Sequence, residues 1–189
     1  MKIFITAALL LIVSFNSYAC DEKVEIDSVK YDVGAYWCGN KIDTTLLAEA
    51  ADLVRLPENL CFNDYKIYVR PETKKALMKM AEEAAKDSVY LQVKSGFRSA
   101  RYQKVILRRK LAEGGNMKDL FKLIAPPGYS QHETGYALDM ATDSGLFKNS
   151  ASYKWLKKHG EKFGFYETYP YDGDKATPWE PWHWYYKPD

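Results

Sequence analysis

The sequence predicts a single α+β domain built around an antiparallel sheet. Strong helical periodicity begins at Pro71, and further helical stretches follow near Ala100 to Glu113 and Ser150 to Lys162. The β-prone runs are short and bounded by turn residues, and the last of them close the chain after the helices. Helices before strands, with helical insertions between, suit this class. A chain of 189 residues is long enough for one well-buried core.

Met1 to Ala19 reads as a targeting leader. Lys2 is basic, Ile3 to Phe15 is almost continuously apolar, and Ser17-Tyr18-Ala19 is a small-x-small cleavage signal. The apolar run is too short for a comfortable membrane span, and no second one follows, so the mature chain is expected without a transmembrane segment. The expected destination is the periplasm or cell envelope. Cys20 directly after the cleavage point leaves a lipid anchor as an alternative, although Ser17 and Tyr18 depart from the usual lipoprotein signal. Export permits disulfides. With Cys38 and Cys61 the two cysteines inside the mature body, their pairing is expected to stabilise by about 3 kcal/mol on the chain-entropy account. So few, widely spaced cysteines argue against a cysteine-built zinc site.

Residues 20–69 read as an irregular or short-strand lead-in packed on the core. Thr44 or Thr45 is expected to cap a short helix ended by Pro57, and Tyr65 to Val69 to form a short strand. From Pro71, Ala76, Leu77, Met80, Ala81 and Ala84 form an apolar stripe, while Lys74, Lys75, Lys79, Glu82, Glu83 and Lys86 face water. Val89 to Lys94 is a strand, the helix from Ala100 stops at Gly114-Gly115, and a short helix spans Met117 to Ile124. Asp143-Ser144-Gly145 is a turn, Phe163 opens the closing strands, and Tyr169 to Thr177 is expected as an exposed loop.

Charge excludes some partners. The 27 basic and 25 acidic residues leave +2, so no polyanion is demanded and no nucleic acid is expected. Repeats, low complexity and glycine-rich phosphate loops are absent from the sequence. Aromatics, at 15%, suit either a core or a peptide or carbohydrate groove.

The chemistry gathers in two blocks. Ser130 to Met140 holds His132 and Asp139 seven positions apart, with Gly135 between. A strand from Tyr136 to Ala141 puts Ala137, Asp139 and Ala141 on one open face, and Tyr136, Leu138 and Met140 on the core face. A neutral imidazole and a carboxylate converging there suit a borderline metal such as zinc. The third ligand is His183, in the run Trp179 to Tyr186. Pro181 interrupts the strand, so Glu180 and His183 need not alternate faces. His159 follows two lysines at an expected helix end and is assigned no role.

These blocks, with Ser95-Gly96-Phe97-Arg98-Ser99 and Gln103 upstream, resemble the zinc D-alanyl-D-alanine carboxypeptidases of the VanY type. The resemblance rests on Ser-x-His-x-x-Gly-x-Ala-x-Asp at Ser130 to Asp139, Glu-x-Trp-His at Glu180 to His183, and Ser-Gly-Phe-Arg-Ser-x-x-x-Gln at Ser95 to Gln103. It implies a catalytic metallopeptidase domain over 70–189, a small sheet with helices on one side, and an open zinc groove on the other. It further implies one zinc held by His132, Asp139 and His183, with Glu180 as general base. Arg98 is implied for the oxyanion or a terminal carboxylate, Ser130 for a place near the substrate carboxylate, and Gln103 for the substrate or for bracing the Arg98 loop. The expected substrates are peptidoglycan stem peptides ending in D-Ala-D-Ala. LD-carboxypeptidase and endopeptidase activities share these motifs and remain alternatives.

Two other classes share part of the pattern. Two histidines and a carboxylate also serve non-haem iron oxygenases, which hold the first pair one residue apart. A non-catalytic wall-binding module keeping zinc structurally has no use for Glu180 or Arg98.

Overall fold

The computed structural model describes residues 20–143, 145–171 and 179–188. The leader at 1–19 and most of the expected loop from Tyr169 to Thr177 lie outside the described residues. Among the described residues, no helix is long and apolar enough to cross a membrane.

The lead-in opens with a hairpin, β1 (Lys23–Ile26) and β2 (Val29–Asp32), turned by Asp27 and Ser28 at positive φ. The helix expected after Thr44 is replaced by two single 3₁₀ turns, Thr44–Leu46 and Ala50–Asp52. Neither turn buries a residue, and isolated short helices gain too little to propagate without a packed face. β3 (Val54–Arg55) and β4 (Tyr68–Val69) form a two-residue antiparallel ladder.

The strongest helical pattern becomes α1 (Pro71–Lys86), with proline in its first turn. Leu77, Met80 and Ala84 are fully buried along its stripe. Burying Leu77 or Met80 contributes about 1.5–3 kcal/mol each relative to exposure. β5 (Gln92–Ser95) is followed by α2 (Ala100–Ala112), capped by Ser99 Oγ, and by α3 (Met117–Leu120), capped by Asn116. β6 (Ala137–Ala141) leads to α4 (Ala151–His159), capped by Ser150, and then to β7 (Phe165–Glu167) and β8 (His183–Tyr186). These strands make one antiparallel sheet in the order β5-β6-β8-β7.

Strand alternation then decides what faces where. Leu138 and Met140 of β6 join Leu77 and Met80 of α1, Trp155 and Leu156 of α4, and Phe165 and Trp184 in the main core. Asp139, between them, points to the opposite side, into a cleft. A second core joins the lead-in to α2 and α3 through Ile26, Val33, Trp37, Leu107, Met117 and Phe121. Within it, Trp37 Nε1 donates to the Phe121 carbonyl at 2.6 Å.

The expected Cys38–Cys61 bond is not formed. Cys38 is bonded to Cys20, with Cα atoms 5.8 Å apart, and Cys61 is a free, buried thiol. The two cores explain the correction. Cys61 packs in the main core and donates to the Pro57 carbonyl at 3.3 Å, whereas Cys20 sits against the second core, next to Trp37-Cys38. Closing this 18-residue separation is worth about 3 kcal/mol on the chain-entropy account. A lipid thioether on Cys20 would require the same sulfur. Non-reducing peptide mapping of the purified protein should yield a Cys20–Cys38 crosslinked peptide and an unmodified Cys61. A Cys38–Cys61 peptide, or a lipid mass on Cys20, would contradict this pairing.

Candidate metal centre

Three elements converge on Asp139. β6 supplies it, and the register of β6 on β8 sets His183 directly opposite, so the pair meets across the ladder. His132 arrives from the 3₁₀ turn Gln131–Thr134, which ends at Gly135 with φ 73°. Glycine takes that backbone without strain, and a Cβ there would sit tight, 3.0 Å from Leu53 Cδ2 and 3.1 Å from Arg70 Cγ. The turn is tied down from outside. Arg70 Nε donates to the Thr134 carbonyl at 2.8 Å, and the buried Glu133 carboxylate accepts from Gly128 N–H at 2.8 Å.

Gly96 has a different role. A Cβ on it would lie 2.6 Å from the Tyr68 carbonyl, so glycine lets the segment after β5 press against β4. There the Gly96 carbonyl accepts from His132 Nδ1 at 2.6 Å, while Arg98 N–H donates to the His132 carbonyl at 3.1 Å. With Nδ1 carrying the proton, His132 Nε2 presents its lone pair toward Asp139. His183 is fixed from its other side, Nε2 donating to Gln131 Oε1 at 2.9 Å, which turns Nδ1 inward.

The inward atoms form a tight triangle. Asp139 Oδ1 lies 3.2 Å from His132 Nε2 and 3.1 Å from His183 Nδ1, and the three potential ligand atoms all lie within 4.8 Å of one another. Ligands about 2.0–2.2 Å from a tetrahedral zinc stand about 3.3–3.6 Å apart, so this donor set, drawn slightly closer, fits zinc with a position left open. Protonation states agree. Burial lowers the His132 imidazole to about 4 despite the pull of Asp139, leaving it neutral at neutral pH. Asp139 is held well below the usual range despite its burial, by charge and hydrogen bonding from whichever facing imidazole carries the proton, so its carboxylate is the form present at neutral pH.

The remaining predicted residues surround this triangle. Arg98, Gln103, Ser130 and Glu180 line the same cleft, of about 230 Å³, as the three ligands. Arg98 Nη2 stands 3.7 Å from Asp139 Oδ2. Among the described residues, Arg98 Nε and Gln103 Oε1 are buried polar atoms without a hydrogen-bond partner, the donor and acceptor inventory a polar ligand or water would satisfy. The other end of the Gln103 amide donates to the Ala125 carbonyl at 2.8 Å, bracing the cleft wall. Glu180 is delivered by a turn in which its carbonyl accepts from His183 N–H at 2.9 Å. Burial pushes its carboxyl up from the ordinary range, partly offset by His183. A carboxylate with a raised pKa beside a metal triangle is equipped to accept and return a proton.

Sequence reasoning missed Gln131, Tyr36, Trp37, Tyr169 and Trp182, which also line the cleft. Gln131 lay inside a motif block, but its partner His183 is 52 residues away, so no local signal marked it. His159, half-buried, packs against Trp155 with ring centroids 4.8 Å apart, away from the cleft lining.

Metal content and chelator competition test this geometry. His132→Ala or His183→Ala should abolish stoichiometric zinc. Gln131→Ala should retain the fold yet weaken zinc by about 10–100-fold, the range for losing an outer hydrogen bond to a ligating histidine. Unchanged affinity in Gln131→Ala would remove that residue from the centre.

Comparison with known proteins gives the centre its context. The sequence profile of the VanY family, D-alanyl-D-alanine carboxypeptidase, matches residues 66–189. The putative carboxypeptidase YodJ of Bacillus subtilis is 34% identical over 145 residues, covering 71% of this chain and 53% of YodJ. A D-alanyl-D-alanine carboxypeptidase of Enterococcus faecalis is 32% identical over 120 residues, 58% of this chain and 45% of that protein. The chain thus spans about half the length of the curated relatives it matches. Among solved structures, the LdcB LD-carboxypeptidase superposes with TM-score 0.65 at 32% identity, covering 74% of this chain and 69% of its own. A VanY D,D-pentapeptidase variant from a VanB-type vancomycin resistance cassette, solved with zinc(II), superposes with TM-score 0.61 at 28% identity, covering 78% and 83%. The motif blocks, the fold and the profile match all concern one family, and this chain belongs to it: the VanY D-alanyl-D-alanine carboxypeptidases.

Proposed function

We propose that the protein is an exported, zinc-dependent peptidoglycan carboxypeptidase that removes the terminal D-alanine from stem peptides ending in D-Ala-D-Ala. The observation that carries this reading is the shared cleft: Glu180, its carboxyl raised by burial, faces the same space as the His132-Asp139-His183 triangle and Arg98. Family membership supports it, as does the D-alanyl-D-alanine bound to the similar VanYB structure, which is 27% identical with TM-score 0.62. Export is supported by the leader composition at Met1 to Ala19.

One zinc per chain, held by His132, Asp139 and His183, would supply Lewis acidity and lower the pKa of a water toward about 7. The chain's own groups do the rest. Glu180 takes the proton from the attacking water as its oxygen bonds to the scissile carbonyl carbon. It then returns that proton to the amide nitrogen as the carbon–nitrogen bond breaks, so D-alanine leaves as an amine. Arg98 presents a planar fork of donors, held toward Asp139, for the developing oxyanion or the terminal carboxylate of the peptide. Gly96 and Gln131 keep the two imidazoles from rotating while this happens.

A second reading, LD-carboxypeptidase activity on tetrapeptide stems, is favoured by the similarity to LdcB. Mass analysis of purified pentapeptide and tetrapeptide muropeptides separates the two by which substrate loses D-alanine. Loss from neither would overturn both.

Glu180→Gln keeps the shape but not the proton acceptor. It should retain zinc and peptide affinity while kcat falls by at least about 10²-fold. Undiminished hydrolysis would exclude Glu180 as the base. The pH profile gives an independent check. The active carboxylate form exists above the pKa of Glu180, so kcat/KM should fall as pH drops through a value above the ordinary carboxylate range. An acid limb unshifted from the ordinary range would contradict the burial of this group.

A further inference from the structure

Two residues of the cleft wall, Tyr36 and Trp37, belong to the lead-in, outside the stretch 66–189 that the family profile matches. They are held unusually firmly for a surface segment. Trp37 is 7% exposed and anchored to Phe121 through its indole N–H. The next residue, Cys38, is bonded to Cys20. Asn40 Nδ2 donates to the Tyr36 carbonyl at 2.7 Å, and Trp37 N–H to that of Gly34 at 3.2 Å. Tyr36 is therefore fixed from both sides.

Its ring continues a line of aromatic contacts to the metal centre. Tyr36 packs edge-on against Trp37 at 4.6 Å and lies 6.4 Å from Tyr169, which lies 5.0 Å from the His183 ring. Burial and the Glu180 charge push the Tyr36 phenol up to about 12, against an interaction with the Tyr169 hydroxyl, so Tyr36 keeps its proton as a donor. The open cleft, of about 230 Å³, lies below the range of about 300–1,000 Å³ usual for drug-sized ligands, which suits the end of a peptide whose remainder lies outside.

We propose that the lead-in is a specificity element of the carboxypeptidase cleft, with Tyr36 as its substrate-contacting residue and the Cys20–Cys38 bond holding it in place. Its ring narrows the cleft to small terminal residues, and its hydroxyl donates to an acceptor oxygen of the peptide. The inference rests on the carboxypeptidase reading above. It assigns substrate selection to a segment that contributes no metal ligand.

The test compares the zinc-loaded wild type with Tyr36→Phe, Tyr36→Ala and Cys20→Ser/Cys38→Ser, using stem peptides ending in D-alanine or in a bulky D-residue. Tyr36→Phe should raise KM for the D-alanine peptide about 3–10-fold, the range for one lost hydrogen bond, with kcat within about 2-fold. Tyr36→Ala should raise that KM about 10-fold or more and narrow the preference for D-alanine over the bulky residue, since pocket fit is worth that much. The double cysteine variant should show the same direction of change, with zinc content kept and Trp fluorescence altered as Trp37 loosens. Wild-type KM and selectivity in both Tyr36 variants would overturn the inference while leaving the enzyme reading intact. Unchanged KM in the cysteine variant would overturn the role of the bond. A wild type that neither cleaves nor binds either peptide would overturn the enzyme reading, and this inference with it.

Discussion

One carboxylate oxygen organises this protein. Asp139 Oδ1 stands within 3.2 Å of an imidazole nitrogen from each of two histidines, one on a turn and one on a neighbouring strand. A buried carboxylate is costly unless paired, and here both histidines and Arg98 face it. Much else in the fold serves that meeting. The sheet sets His183 opposite Asp139, Gly135 lets the His132 turn close, and Gly96 lets a carbonyl reach His132 Nδ1. The cleft exists because β6 puts Leu138 and Met140 into the main core and Asp139 on the other side.

The hydrogen-bond directions matter as much as the positions. Gly96 and Gln131 each take the outer nitrogen of one imidazole, so the inner nitrogens are the ones left to face Asp139. The two outer partners come from places that local sequence does not connect, a strand end and the residue preceding a ligand. The charge pattern extends outward from there. Glu180 is raised first by burial and further by the Asp139 charge, against the pull of His183 and Arg98, which suits the proton-transfer role proposed for it.

Much of this was legible in the sequence, for physical reasons. The stripe of Leu77, Met80 and Ala84 has a helical period and becomes the buried face of α1. The alternation through Leu138, Asp139 and Met140 has a strand period and correctly separates core from cleft. Short-range chemistry around Pro181 permitted Glu180 and His183 to share a site, and both line one cleft. What failed depended on contacts between distant segments. Thr44 to Val54 has helical composition but no face to bury, so it breaks into single turns. Counting cysteines paired Cys38 with Cys61, yet the second core draws Cys38 to Cys20, a residue left out of that count because it directly follows the expected cleavage point. Tyr36 and Trp37 gave no local sign of reaching the cleft, because what brings them there is a tertiary hydrogen bond to Phe121.

His132, Asp139 and His183 are placed to hold a metal ion together, and the proposed reaction needs them to do so. X-ray absorption at the zinc edge of stoichiometrically loaded protein tests it most directly, with the His183→Ala variant measured alongside. The expected result is a shell of nitrogen and oxygen donors at about 2.0–2.2 Å, including imidazole scattering, without sulfur, and the loss of that zinc in the variant. Sulfur at about 2.3 Å, which would implicate Cys61, or an unchanged spectrum in His183→Ala, would contradict it.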